Sequence, residues 1–164
     1  MLQRVDTESR ATHDDHLSVR VWLRLLACTN LVEGRVASRL RDAFETTLPR
    51  FDFLSQLERH PAGLRMTEIS QRMMVTGGNI TRIADQLLAE GLITRSVAPG
   101  DRRASIVKLS APGRRAFGEM ARRHEEWIVE MFGGLAEAER SQLYALLAKL
   151  KRHLNAAPSE ERGR

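Results

Sequence analysis

Arginine carries a planar, permanently charged guanidinium that suits phosphates and the edges of nucleic-acid bases. In this 164-residue chain it is unevenly placed. Arg102 and Arg103 stand side by side after Pro99, Gly100 and Asp101, between two β-rich runs at residues 92–97 and 105–109. A hairpin tip needs turn residues, and Pro99, Gly100 and Asp101 supply them. It does not need two arginines. Long cations at a tip can enter a minor groove, where A·T-rich DNA concentrates negative potential. Asp101, two positions before Arg103, can orient that guanidinium through a bidentate pair. A second group lies upstream. Thr81, Arg82 and Gln86 fall on one face of a helical pattern that begins near Thr76, Gly77, Gly78 and Asn79. Arg and Gln are the residue types that read guanine and adenine in a major groove. Gly77 and Gly78 clear side chains from the first turn, so bare amides can approach a phosphate.

Other chemistries find no complete residue set. The run His124-Glu-Glu-Trp-Ile starts like a zinc-protease helix, but Ile128 stands where the second histidine belongs. His13-Asp-Asp-His16 has metal-like residue types at a polar terminus, which makes a poor cage. The single cysteine, Cys28, can form neither an internal disulfide nor a thiolate cluster. Among Leu25, Leu26 and Ala27 it reads as a buried small apolar residue. Phosphate-cradling glycine loops and nucleophile elbows are absent from the sequence. The expectation is a protein that is not an enzyme and uses no cofactor or metal.

Charge points the same way as the motifs. The net formal charge is +5. Residues 61–115 hold nine basic and four acidic side chains, so this middle third carries all of the excess. A localised positive field is the footprint expected of a nucleic-acid surface. No apolar run approaches the roughly 20 residues that span a bilayer. The polar stretch from Met1 to Asp15 lacks the apolar core of a secretory signal. The expected location is the cytoplasm, with no membrane partner.

Periodicity supplies the elements that must position these residues. Trp22, Leu25, Leu26, Val32, Val36, Leu40 and Phe44 recur at spacings of three and four, which predicts a helix over 16–45, with Gly34 permitting a bend. Pro49 suits the first turn of a second helix carrying Phe51, Leu54 and Leu57. Residues 64–66 are extended. Thr67 is placed to cap a short helix over 68–74 that buries Ile69 and Met73, and Thr76 to cap the next, which stops at Gly91. On a 100° wheel Ile80, Ile83, Ala84 and Leu87 face the core and Arg82, Asp85 and Gln86 face away. Ser110, Ala111 and Pro112 start a long helix striped by Phe117, Met120, His124, Trp127 and Met131. Gly133-Gly134 interrupts it, and a last helix over 137–154 carries five leucines.

Two short helices, a turn, a capped second helix and a basic hairpin make a winged helix-turn-helix. The stretch from Met66 to Arg114, MTEISQRMMVTGGNITRIADQLLAEGLITRSVAPGDRRASIVKLSAPGR, resembles the winged-helix core of the MarR (multiple antibiotic resistance regulator) family. Its most specific mark is the Asp-x-Arg wing, followed by a strand ending Leu-Ser and a glycine shortly after. The resemblance implies a homodimeric DNA-binding regulator, usually a repressor relieved by a small ligand. By position, Arg82 looks like the major-groove reader and Arg103 the minor-groove arginine, with Arg95 supporting the base of the wing. The family's peroxide-sensing branch uses a cysteine near the start of the first helix, with tyrosine partners. Cys28 is displaced from that place and Tyr144 is the only tyrosine, so that mechanism is not carried over.

The expected fold class is mainly α with a small β-hairpin. A winged domain over 49–110 lies between the halves of a helical dimerisation region at 16–48 and 111–154, with a flexible N-terminus at 1–15 and a flexible tail at 155–164. Three apolar stripes flank a domain too small to cover them. Pairing two chains would bury them and set two recognition helices about 34 Å apart, matching a pseudo-palindromic operator. Asn30, Arg35, Arg50, Phe51, His124 and Trp127 are the candidates for an effector pocket between helices. Their mixture of aromatic and cationic groups suits an aromatic carboxylate or its coenzyme A thioester. Relatives with similar TLPRFDFL and GGNITR stretches resemble regulators of aromatic-acid catabolism. Non-specific architectural DNA binding and a small helical enzyme are the alternatives.

Overall fold

The computed structural model describes residues 17–73, 77–98 and 100–156. Thr76 and Pro99 lie outside the described residues, as do both chain ends. So do the side chains of Gly77, Gly78, Asp101, Arg102 and Arg103. Among the described residues the elements follow in the order α1 (Leu17–Phe44), α2 (Leu48–Glu58), β1 (Leu64–Arg65), α3 (Met66–Met73), α4 (Gly77–Ala89), β2 (Ile93–Ala98), β3 (Asp101–Leu109), α5 (Ala111–Met131) and α6 (Glu137–Ala156). The strands form one antiparallel sheet in the order β1-β3-β2.

The chain divides into two compact units, residues 1–125 and 126–164. In the first, Leu40, Phe53, Leu54, Leu57, Ile69, Ile80, Leu87 and Val107 are fully buried. These come from α1, α2, α3, α4 and the central strand, so one core holds the short helices against the sheet. Each such side chain contributes about 1.5–3 kcal/mol through its removal from water. Pairing of Leu64 with Val107 and of Ile93 with Leu109 puts four buried residues on one sheet face, while Lys108 and Thr94 point outward. The period-two pattern of the strands therefore sets which face meets the helices.

Local chemistry explains the boundaries. Pro49 lies in the first turn of α2, as its fixed φ favours. The start of α3 differs from the Thr67 cap expected. The helix begins at Met66, and Glu68 reaches back to accept the Arg65 amide at 2.7 Å. A carboxylate placed this way is the reciprocal half of a capping box, and it lets the helix begin directly after β1. Met73, expected in the core beside Ile69, is half-buried in the last turn of α3. At the end of α4, Gly91 adopts φ 71°, its amide donates to the Leu88 carbonyl at 3.0 Å, and the Leu92 amide donates to Leu87 at 2.9 Å. Those two bonds are a Schellman motif.

Of the three apolar stripes, that of α5 is covered at Phe117, Met120 and Trp127, contrary to expectation, while those of α1 and α6 are largely exposed. Only Val36 and Leu40 of α1 are buried, and Trp22 is 57% exposed. In the second unit α6 buries no residue, and Tyr144, Leu146, Leu150 and Leu154 are exposed. Cys28 is exposed rather than buried, because it lies on the half of α1 that precedes the core. Gly34 has open space around its Cα and lies inside an uninterrupted helix. Among the described residues, no helix is long and apolar enough to cross a membrane.

Candidate nucleic-acid interface

The reading surface is built on α4. Ile80, Ile83, Ala84 and Leu87 are buried and fix the helix's rotation, as the wheel predicts. Thr81, Arg82, Asp85 and Gln86 are exposed, and Asn79 is half-buried. The first turn begins at Gly77, so the amides of Gly77 and Gly78 stand at the positive end of the helix dipole.

Two devices couple this helix to the hairpin. In the first, the Arg95 guanidinium on β2 donates through Nε to Ser105 Oγ on β3 at 3.0 Å and pairs with Asp85 of α4 at 3.6 Å. An exposed pair of this kind contributes under about 1 kcal/mol, so its effect is orientation rather than stability. The second device is the junction after β3. The Ser110 amide donates to the Leu92 carbonyl at 3.0 Å, and its hydroxyl donates to Gly91 O at 2.6 Å. The same hydroxyl accepts the Gly113 amide at 2.9 Å, capping α5. Gly113 lies so close to Leu92 that a Cβ there would fall far inside van der Waals contact of the Leu92 oxygen. The Leu-Ser-x-x-Gly sequence thus joins the end of α4, the root of the wing and the start of α5 at one point.

The wing tip is irregular. Val97 pairs with Ser105, yet Ala98 pairs with Asp101. Arg102, Arg103 and Ala104 of β3 fall between those partners. A register shift of this kind interrupts the regular pairing of a ladder. The backbone register is therefore irregular between Asp101 and Ser105.

Residues 45–104 match the model of the MarR family. A helix-turn-helix transcriptional regulator of Bacillus cereus is 27% identical over 141 residues, covering 85% of this chain and 92% of its own. The regulator PecS of Dickeya dadantii is 24% identical, covering 79% of each chain. The chain is thus similar to the MarR family over its central segment. Solved structures agree on the MarR winged-helix fold. Apo MarR from E. coli superposes with a TM-score of 0.70 at 23% identity, covering 77% of this chain and 94% of that one. A MarR family regulator from Streptomyces coelicolor, solved in complex with DNA, gives 0.75 at 19% identity, covering 93% and 96%.

Of the effector candidates, the first unit brings Phe51 and His124 together. Asn30 and Arg35 are exposed on α1. Phe51 is buried, and its ring stacks at a tilt on Phe117, 5.4 Å between centroids, and on His124, 4.9 Å. Among the described residues the His124 ring makes that aromatic contact rather than a hydrogen bond. Burial holds the His124 pKa below its ordinary value of 6.5, against the pull of Asp52. Burial raises the Asp52 carboxyl above its ordinary 3.8, against the pull of His124. Trp127 is buried on α5 in the second unit. Arg50 is half-buried and paired with Glu90, just beyond the end of α4. Sequence reasoning missed Glu90 as that partner, because the two lie 40 residues apart and no local pattern links them. Among the described residues, no group of three or more His, Cys, Asp or Glu is placed to hold a metal ion.

Proposed function

We propose that the chain is a homodimeric, sequence-specific repressor that binds a pseudo-palindromic operator and is relieved by a small ligand. The observation that carries this reading is the exposed face of α4. Thr81, Arg82 and Gln86 project opposite a buried apolar face, and the adjacent wing is tied to the helix through Arg95. The recognition helix enters the major groove and the wing enters the minor groove. Exposed stripes on α1 and α6 support the dimer, since apolar surface of that extent marks an interface. The winged domain at 49–110 is the reading unit, and 16–48 with 111–154 the dimerising one. The chain acts in the cytoplasm. An aromatic carboxylate or its coenzyme A thioester is the effector class for the candidates Asn30, Arg35, Arg50, Phe51, His124 and Trp127.

Titration of duplex DNA from the chain's own promoter tests the reading. Arg82→Ala should cost about 1–3 kcal/mol on the specific site and much less on scrambled DNA, because a base-edge contact carries discrimination. Equal affinity of the unaltered chain for promoter and scrambled DNA would instead mark a non-specific architectural protein.

A further inference from the structure

A cleft of about 350 Å³ opens in the first unit between the end of α1, the start of α2, the end of α4 and α5. That volume is within the range of small-molecule sites. Leu54, Leu92 and Met120 supply apolar wall. The polar lining is unbalanced. Among the described residues Arg50 is the cleft's one basic group, and it is paired with Glu90. Glu45 and Glu119 also line the cleft, and neither has an ion-pair partner among the described residues. The lining therefore carries two uncompensated negative charges. A cleft with apolar walls focuses such a field and raises the local concentration of cations.

Arg50 adds a second requirement. Its Nη2 faces Glu90, while its Nε is buried and has no hydrogen-bond partner. A buried donor left unmatched is costly, so an acceptor atom brought into the cleft is favoured there. A carboxylate would satisfy Arg50 but would compete with Glu90 and face Glu45 and Glu119. An uncharged oxygen satisfies the donor without that repulsion.

We propose that this cleft binds a hydrophobic amine whose protonated nitrogen lies toward Glu45 and Glu119 and whose apolar body carries one acceptor oxygen for Arg50 Nε. The site shares only Arg50 with the residues considered above for an acid, and its charge preference is the reverse. It also lies where a ligand can influence reading. Glu90 and Leu92, part of its wall, close the C-terminal turn of α4, and the Leu92 carbonyl holds the wing root through Ser110. The effect on DNA rests on the proposed function; the binding of the amine does not.

Three probes of one shape separate the contributions: 5-methoxytryptamine, tryptamine, which lacks the ether oxygen, and indole-3-propionate, which reverses the charge. Calorimetric titration of the full chain should give saturable binding in the order methoxytryptamine, tryptamine, propionate. Glu45→Gln combined with Glu119→Gln should weaken both amines roughly tenfold through loss of two charge contacts and should narrow the gap to the propionate. Arg50→Lys keeps the charge but loses the Nε donor, and should abolish the preference for the methoxy compound. Both variants should melt as the unaltered chain does, which the same samples show by thermal scanning. Propionate binding as tightly as tryptamine, amine affinity unmoved by the double variant, or no saturable amine binding overturns the proposal. If the amines bind as described but promoter DNA is not bound at all, the cleft stands and the regulator reading fails.

Discussion

The junction at Gly113 offers the sharpest test of how the wing is held. In Gly113→Ala the new Cβ would overlap the Leu92 oxygen and stand 2.7 Å from its carbonyl carbon and 3.1 Å from its Cα. All three are backbone atoms, so no side chain can swing away. The start of α5 and the root of β2 must separate until the closest of these contacts reaches an ordinary 3.4 Å. That displacement stretches the Ser110 amide bond to Leu92 O and the Ser110 hydroxyl bond to Gly91 O. Two hydrogen bonds contribute about 1 kcal/mol each, and overpacking costs about 1–3 kcal/mol, so a loss of roughly 3 kcal/mol is expected. For a chain of this size that corresponds to a fall in Tm of about 6–12 °C. Gly118→Ala, in the same helix and with open space around it, is the matched control. It should be neutral or stabilising by up to about 1 kcal/mol. Thermal melts followed by circular dichroism measure both. DNA titration well below the melting range should show Gly113→Ala weakened and Gly118→Ala unchanged, because only the former moves the wing root. A Gly113→Ala chain that melts within about 2 °C of the unaltered one and binds DNA equally would refute the claim that this contact positions the wing.

Three further outcomes are expected. Removing residues after Gly134 deletes α6 and its exposed leucines; light scattering should show aggregation or loss of the dimer, and a soluble truncated monomer with full operator affinity would count against the dimer. The His124 pKa lies below its ordinary 6.5, so the unfolded chain binds more protons between those two values, and stability should fall as pH drops from above 6.5 toward the depressed pKa. His124→Gln should flatten that limb in melts run from neutral pH downward, and an unchanged slope would remove His124 as its source. Asp52 has the opposite sign: its raised pKa makes the charged form costly, so stability should decline as pH rises from 3.8 through that pKa, and Asp52→Asn should abolish the decline.

The sequence makes the reading helix legible because one period governs it. Buried Ile80, Ile83, Ala84 and Leu87 leave no choice about where Arg82 and Gln86 point. Strand pairing in the hairpin is equally open to reading, since turn residues stand between two β-rich runs. What escapes sequence reasoning depends on contacts between elements. The Arg50–Glu90 pair, the Asp85–Arg95 contact and the approach of Gly113 to Leu92 each join residues from different parts of the chain. No local pattern encodes them. Cys28 misleads for a related reason: an apolar neighbourhood in sequence fixes a helix face, but not whether the chain itself covers that face. Trp22 and Leu26 beside it are exposed too.

The wing tip shows where a local rule stops. Alternation of sides along β3 assigns Arg103 to the groove with Asp101 and sends Arg102 away. The bulge between the Val97–Ser105 and Ala98–Asp101 pairs interrupts that count at the two arginines themselves. Residue types still argue for a minor-groove contact, since a guanidinium is drawn to the narrow, electronegative groove of A·T-rich flanks. Which arginine makes it is therefore a question for binding, not for counting. Titration of two operators that differ only in flank composition decides it. With Arg103 inserted, Arg103→Ala loses most affinity on the A·T-rich operator and its salt slope falls by roughly one unit, while Arg102→Ala shows a smaller, flank-independent loss. Asp101→Ala then behaves as a weaker Arg103→Ala. A larger, flank-dependent loss in Arg102→Ala would mean that the bulge has exchanged the two roles. Insensitivity of both variants to the flanks would mean that the wing grips phosphates and leaves the sequence to α4.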